Sequence, residues 1–143
     1  MEEKGQNSIE NRNPVIMICE DDRDLLDLFQ KGMGSKYDVI AVGSGTECIS
    51  RYIDEKVKGN KIDVLIVNYD LHDLPGDIVA ITIRDLSGSS KRRTNTVIVS
   101  ALELDKELVE DLKRNDCIIG GAIKPVSIDS LMRIIEKAIP KLD

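Results

Sequence analysis

The stretch Asp63-Val64-Leu65-Ile66-Val67-Asn68-Tyr69-Asp70-Leu71-His72-Asp73-Leu74-Pro75-Gly76 decides the fold. Its apolar part, 63–67, is too short for a buried helix. It is also too uniformly apolar for a strand with one wet face, so it reads as a parallel strand covered on both sides. Asn68 ends that strand, and a turn rich in Asp, Pro and Gly follows. Four further runs have the same character: 15–19, 38–42, 96–100 and 117–123. Helical periodicity follows each of the five. Leu25, Phe29 and Met33 mark one face; Cys48, Ile49, Tyr52, Ile53 and Val57 a second; Ile78, Ile81 and Thr82 a third. Leu104, Leu108, Val109 and Leu112 mark a fourth, and Leu131, Ile134, Ile135 and Ala138 a fifth.

Start and stop signals agree with this alternation. Asp22 or Asp24, Ser44 and Ser127 are placed to cap helices, and Gly32 with Gly34, Gly59-Asn60 and Pro140 to end them. A (βα)5 alternation implies right-handed crossovers and a doubly wound α/β sheet. The domain spans residues 14–140, between a polar tail at 1–13 and a short tail at 141–143. Ser87-Gly88-Ser89-Ser90-Lys91-Arg92-Arg93 reads as a solvated surface loop.

At 143 residues there is room for one core. The apolar share of 41% and charged share of 32% suit a well-solvated globular domain. A net charge of −6 argues against broad nucleic-acid or anionic-membrane binding. No apolar run approaches the roughly 20 residues that span a bilayer. The N-terminus also lacks the basic start and apolar stretch of a signal peptide, so the expected location is cytoplasmic. Cys19, Cys48 and Cys117 have no metal-type spacing and read as buried free thiols.

In an open parallel sheet, ligands bind beyond the carboxyl ends of the strands, where strand order reverses. Glu20 and Asp21, Asn68, Ser100 and Lys124 all fall at such ends. An adjacent acid pair suits a hard divalent cation such as Mg²⁺, while a hydroxyl and a lysine suit phosphoryl oxygens. Each residue alone is unremarkable; the set points to phosphoryl transfer. No Gly-rich phosphate loop opens a helix and aromatic residues are scarce, which disfavours a nucleotide or flavin site. His72, the only histidine, reads as a lone loop residue.

On these motifs the chain resembles the response-regulator receiver family of two-component signalling (CheY-like), over roughly residues 14–140. Val15-Ile16-Met17-Ile18-Cys19-Glu20-Asp21-Asp22 is similar to the first strand and acidic pair, and 63–71 to the third strand and acceptor turn. Gly76 and Arg84 fall where receivers carry a Gly and a frequent Arg, and Ser100-Ala101 and Lys124-Pro125 match the hydroxyl and lysine motifs. The resemblance implies a flavodoxin-like strand order 2-1-3-4-5 and a cis peptide at Pro125. It also implies a cation held by Glu20, Asp21 and the Asp70 backbone carbonyl, with Ser100 and Lys124 on phosphoryl oxygens.

Three positions depart from the family pattern. Asn68 stands at the phosphoacceptor position, Gly121 at the aromatic switch position, and His72 where a proline is usual. An acyl phosphate needs a carboxylate nucleophile, and removing that charge weakens Mg²⁺ binding. The expectation is an atypical receiver acting by phosphorylation-independent contact with a protein partner, a histidine kinase or downstream effector, through the fourth helix, fifth strand and fifth helix. It would be no enzyme beyond receiver-type self-phosphorylation and dephosphorylation. The alternative is a receiver still competent for Mg²⁺-dependent self-phosphorylation. Its acceptor would be Asp70, or position 68 where Asn68 is an engineered replacement for aspartate or deamidates. No further domain follows the fifth helical pattern, which suits a single-domain regulator or an excised domain.

Overall fold

The computed structural model describes residues 13–88 and 93–139. Five strands, β1 (Val15–Cys19), β2 (Asp38–Val42), β3 (Val64–Asn68), β4 (Asn95–Ser100) and β5 (Gly120–Ile123), form one sheet in the order β2-β1-β3-β4-β5. Every pairing is parallel. The helices are α1 (Arg23–Met33), α2 (Gly45–Val57), α3 (Gly76–Ser87), α4 (Lys106–Arg114) and α5 (Ile128–Ala138). This is the expected flavodoxin-like architecture.

Period-two alternation along the strands builds two apolar layers. Met17, Cys19, Leu65 and Val67 face α2, α3 and α4, meeting Cys48, Tyr52, Val79, Ile83 and Leu112. Their neighbours Ile16, Ile18, Val64 and Ile66 face α1 and α5, meeting Leu26, Phe29, Met33, Leu131 and Ile135. All three cysteines are free and buried. The Cys19 thiol is pushed up by its neighbour Cys48 and by burial, and it donates to the Ser44 carbonyl. No described helix is long and apolar enough to cross a membrane.

Asp22, Ser44 and Ser127 cap their helices as expected, each accepting a backbone N–H three residues on. Lys124-Pro125 is a cis peptide. Residues 1–12 of the expected N-terminal tail, the C-terminal tail, the Pro140 stop and the loop residues 89–92 lie outside the described residues.

Four expectations are corrected. The fifth strand begins at Gly120 rather than at 117. Cys117 and Ile118 are buried, but in a turn: Asp116 is left-handed (φ 61) and the Cys117 N–H bonds back to Leu112. Their apolarity reflects packing beneath α4. The third helix turns a different face inward: Val79, Ala80 and Ile83 are buried, whereas Ile78 and Ile81 are 43% and 37% exposed. On α2, Ile53 and Val57 likewise face solvent, at 42% and 82% exposure, because Cys48 and Tyr52 set the buried stripe. Gly32 lies within α1 instead of ending it, and the space of its absent Cβ is taken by Ile128, 2.9 Å from where that atom would sit.

Gly76 sets the rotation of α3. A Cβ there would lie 2.5 Å from the Asn68 carbonyl oxygen and 2.6 Å from Tyr69 Cα, so only glycine permits this approach. Gly76, Val79, Ala80, Ile83 and Ser87 then follow at i, i+3, i+4, i+7 and i+11 on the buried face. Gly76→Ala should therefore lower the unfolding free energy by about 1–3 kcal/mol, read from a urea transition; an unchanged midpoint would show that the turn opens freely.

Candidate functional site

Cys19 pairs with Val67, so the chain emerges from β1 and β3 with Glu20 beside Asn68. Strand order reverses here, with β2 on one side of β1 and β3 on the other. Glu20 and Asn68 are each 4% exposed. A carboxylate that deep requires partners on both oxygens. Lys124, just past β5, supplies one: its Nζ lies 2.9 Å from Glu20 Oε1. The other oxygen, Oε2, accepts from the Asp22 N–H at 3.0 Å and from Asn68 Nδ2 at 3.3 Å.

The Asn68 amide occupies the centre. Its Nδ2 faces Glu20 Oε2 at 3.3 Å, Asp21 Oδ1 at 3.4 Å and the Asp70 carbonyl oxygen at 3.4 Å. These belong to the same three groups that the sequence resemblance assigns to a cation. Asn68 Oδ1 accepts from the Asp70 N–H at 3.4 Å, which orients the amide. All these bonds are long, and two hydrogens are shared among three oxygens; the amide bridges without clamping.

Asp21 is closed from the other side. Its Oδ2 accepts from the His72 backbone N–H at 3.0 Å and contacts His72 Nδ1. The reading of His72 as a lone loop histidine is thereby corrected. Nothing in the sequence pairs positions 21 and 72, because the contact depends on how the β3–α3 turn folds over β1. Every oxygen of the acidic pair thus has a donor from within the chain.

Ser100 and Asp70 sit at the rim. Ser100 ends β4 beside Lys124, whose N–H bonds the Ser100 carbonyl at 2.8 Å. The Ser100 hydroxyl, however, is engaged with the next loop, donating to the Leu102 carbonyl at 2.6 Å and accepting from the Leu102 N–H at 3.2 Å. The Asp70 carboxylate reaches across to the Ala101 N–H at 3.4 Å. Gly121 stands apart from this cluster, in the groove between α4 and β5.

Sequence reasoning missed the anchor of the β3–α3 turn. Asp73 accepts from the Gly45 and Thr46 N–H groups and from the Thr46 hydroxyl, each at 2.9 Å. It thereby satisfies free donors at the N-terminus of α2, where the helix dipole favours a negative charge. Ser44-Gly45-Thr46 reads as a helix start, but its second cap comes from a distant turn.

No protein-family model and no curated protein matches the sequence. Solved structures do match in fold. A CheY-like response-regulator receiver domain from Methanospirillum hungatei JF-1 superposes with a TM-score of 0.72 at 17% identity, covering 87% of this chain and 92% of that one. A Francisella response-regulator receiver domain gives 0.70 at 21% identity, covering 88% and 96%. The signal receiver domain of a modulated diguanylate cyclase from Desulfovibrio desulfuricans G20 gives 0.68 at 27% identity, covering 89% and 94%. The fold is that of CheY-like receiver domains.

The Asp73 anchor has a pH signature. Hydrogen bonds from the Thr46 and Gly45 backbone hold its carboxyl down from 3.8 to about 2. A folded pKa below the unfolded one gives stability that is present above the unfolded value and lost as pH falls through the folded one. The stability gap between the parent and Asp73→Asn should be full near neutrality and shrink between about pH 4 and 2. A gap independent of pH across that window would contradict the anchor.

Proposed function

We propose that this chain is a receiver-type module of two-component phosphorelay signalling that works by protein–protein contact, without aspartyl phosphorylation. The observation that carries this reading is Asn68, an amide at the end of β3 whose nitrogen faces the acidic pair. A carboxylate oxygen attacks phosphorus as an anion; an amide oxygen carries no charge to give, and forms no acyl phosphate of the family type. Glu20, Asp21 and Lys124 then serve a structural role, holding together the ends of β1, β3 and β5.

Mg²⁺ binding is weak in this reading. The ion needs a near-octahedral oxygen shell at about 2.0–2.1 Å. To enter, it must displace the Asn68 amide from three oxygens and do without one carboxylate. For unit charges 4 Å apart, that lost carboxylate is worth about 4 kcal/mol at an effective dielectric near 20. The family coupling route is also missing, since Gly121 has no side chain to swing when the Ser100 loop moves. The module therefore presents a constant surface on α4, β5 and α5 to a cytoplasmic partner, a histidine kinase or a downstream effector.

Incubation with Mg²⁺ and a small acyl-phosphate donor, followed by intact-mass measurement, should show no adduct, whereas Asn68→Asp should gain one. A stoichiometric adduct on the parent would sink the proposal. One observation favours a second reading: the Asp70 carboxylate reaches the Ala101 N–H at the mouth of the site, where it could accept a phosphoryl group. If so, the parent labels and Asp70→Asn does not.

A further inference from the structure

We infer that the pocket at the C-terminal ends of α2 and α3 binds a small phosphorylated polyol of sugar-phosphate size. Its phosphate is held by Lys56, Lys61 and Arg93, and its hydroxyls donate to an acceptor wall at Ser87. The pocket opens at the amino ends of β3 and β4, the edge of the sheet opposite Glu20 and Asn68. The inference therefore does not depend on the phosphorylation-independent reading.

The cations come from three separate elements. Lys56 stands in the last turn of α2, Lys61 in the loop before β3, and Arg93 just before β4. On a chain with 26 acidic and 20 basic residues, they meet where no carboxylate is among the described lining residues. The nearby acids are engaged or turned away. Glu55 accepts from Arg51 Nε at 3.1 Å and from Asn60 Nδ2 at 2.9 Å. Asp63 accepts from the Val15 N–H at 2.8 Å. Asp54 and Asp85 each precede a lining residue by two helical positions, about 200° round the axis. Asp116 reaches Arg93 Nη2 at 3.5 Å, with both side chains partly in water, and the guanidinium keeps further N–H donors. Lys56 has no carboxylate partner among the described residues.

The wall behind them accepts and does not donate. Tyr52, Ser87 and Thr94 are buried there, and their hydroxyls form a chain. Thr94 Oγ1 lies 2.6 Å from the Ile62 carbonyl oxygen, and Tyr52 Oη lies 3.0 Å from Thr94 Oγ1 and 2.6 Å from Ser87 Oγ. Each hydroxyl carries one hydrogen. A carbonyl cannot donate, so the Thr94 hydrogen goes to Ile62. Tyr52 must then donate to Thr94, and Ser87 to Tyr52. All three hydrogens are engaged, and Ser87 Oγ meets the pocket with lone pairs alone. The last carbonyls of α2 and α3, which lack helical partners, add acceptors at the same end.

The two halves of the pocket select the ligand together. A bare anion satisfies the cations and sets its charge against the acceptors; a neutral sugar leaves the cations without a partner. A phosphate ester with free hydroxyls satisfies both. The volume of about 260 Å³ lies below the roughly 300–1,000 Å³ of drug-sized sites, so the ligand is small. Tyr52, the aromatic residue among the lining, is 6% exposed and packed into the core, and it offers no stacking face to a nucleobase.

The test is an amide NMR titration of the full chain with ribose 5-phosphate, ribose and inorganic phosphate. It is run in about 150 mM chloride, where exposed charges are screened beyond roughly 8 Å. Ribose 5-phosphate should give saturable shifts at Gly59, Asn60, Lys61 and Thr94, and ribose none. Inorganic phosphate should bind about tenfold more weakly. Lys56→Gln and Arg93→Gln combined should weaken both phosphates about tenfold or more. Ser87→Ala should bring ribose 5-phosphate down to the affinity of inorganic phosphate and leave the latter unchanged. The buried Tyr52 and Thr94 are left untouched, so the fold is kept in every variant.

Equal affinity for inorganic phosphate and ribose 5-phosphate overturns the inference. So do shifts that vanish at this salt, or that persist undiminished in the double variant at Lys56 and Arg93. A short oligoribonucleotide and phosphoinositide vesicles carry the same chemistry on a polymer and on a lipid. Tighter binding of either overturns the assignment to a small free ligand.

Discussion

The buried carboxylate of Glu20 is the constraint on which the rest of the site depends. At 4% exposure it cannot be left with water on either oxygen. Its side-chain partners come from two other strands, Lys124 just after β5 and Asn68 at the end of β3, and the Asp22 N–H is the third donor. The pair is not a large source of stability in itself, because desolvation offsets most of the Coulomb gain. Its consequence is geometric. The carboxyl ends of β1, β3 and β5 are held in register by one side chain, and the loops that leave them inherit that position.

The β3–α3 turn is fixed at three points by different physics. Gly76 brings the start of α3 against the β3 backbone by having no Cβ. His72 ties the turn to Asp21, and Asp73 ties it to the N-terminus of α2. Between these anchors, Asn68 has little freedom, and its amide bridges the groups that a cation would otherwise draw together. The result is a pocket with receiver geometry whose negative groups are already satisfied by internal donors. The β4–α4 loop is the exception. It is bound to the site through Ser100 and Leu102, and it borders the open groove.

Much of this was legible from residue order. Apolar runs too short for helices gave the strands, and capping residues gave the starts of α1, α2 and α5, because both effects are local. The residues of the site were legible because parallel topology places every strand end on one edge. What failed depended on tertiary contacts. The buried face of α3 is set by Gly76 against β3, and no periodicity within 76–87 reports that. Cys117 and Ile118 are apolar because a turn passes beneath α4, and apolarity alone does not separate a buried turn from a strand. His72 and Asp73 acquire their roles from groups 51 and 27 residues away.

The central claim is that the Asn68 amide holds the position where a receiver of this fold would hold its cation. The most direct measurement is the side-chain amide resonance of Asn68, followed while Mg²⁺ is raised into the millimolar range. The account predicts resonances that stay in place, with the slowed exchange of a hydrogen-bonded amide. A saturable shift of those resonances at submillimolar Mg²⁺ would contradict it, for it would mean that the ion displaces the amide and that the pocket binds metal as an ordinary receiver does.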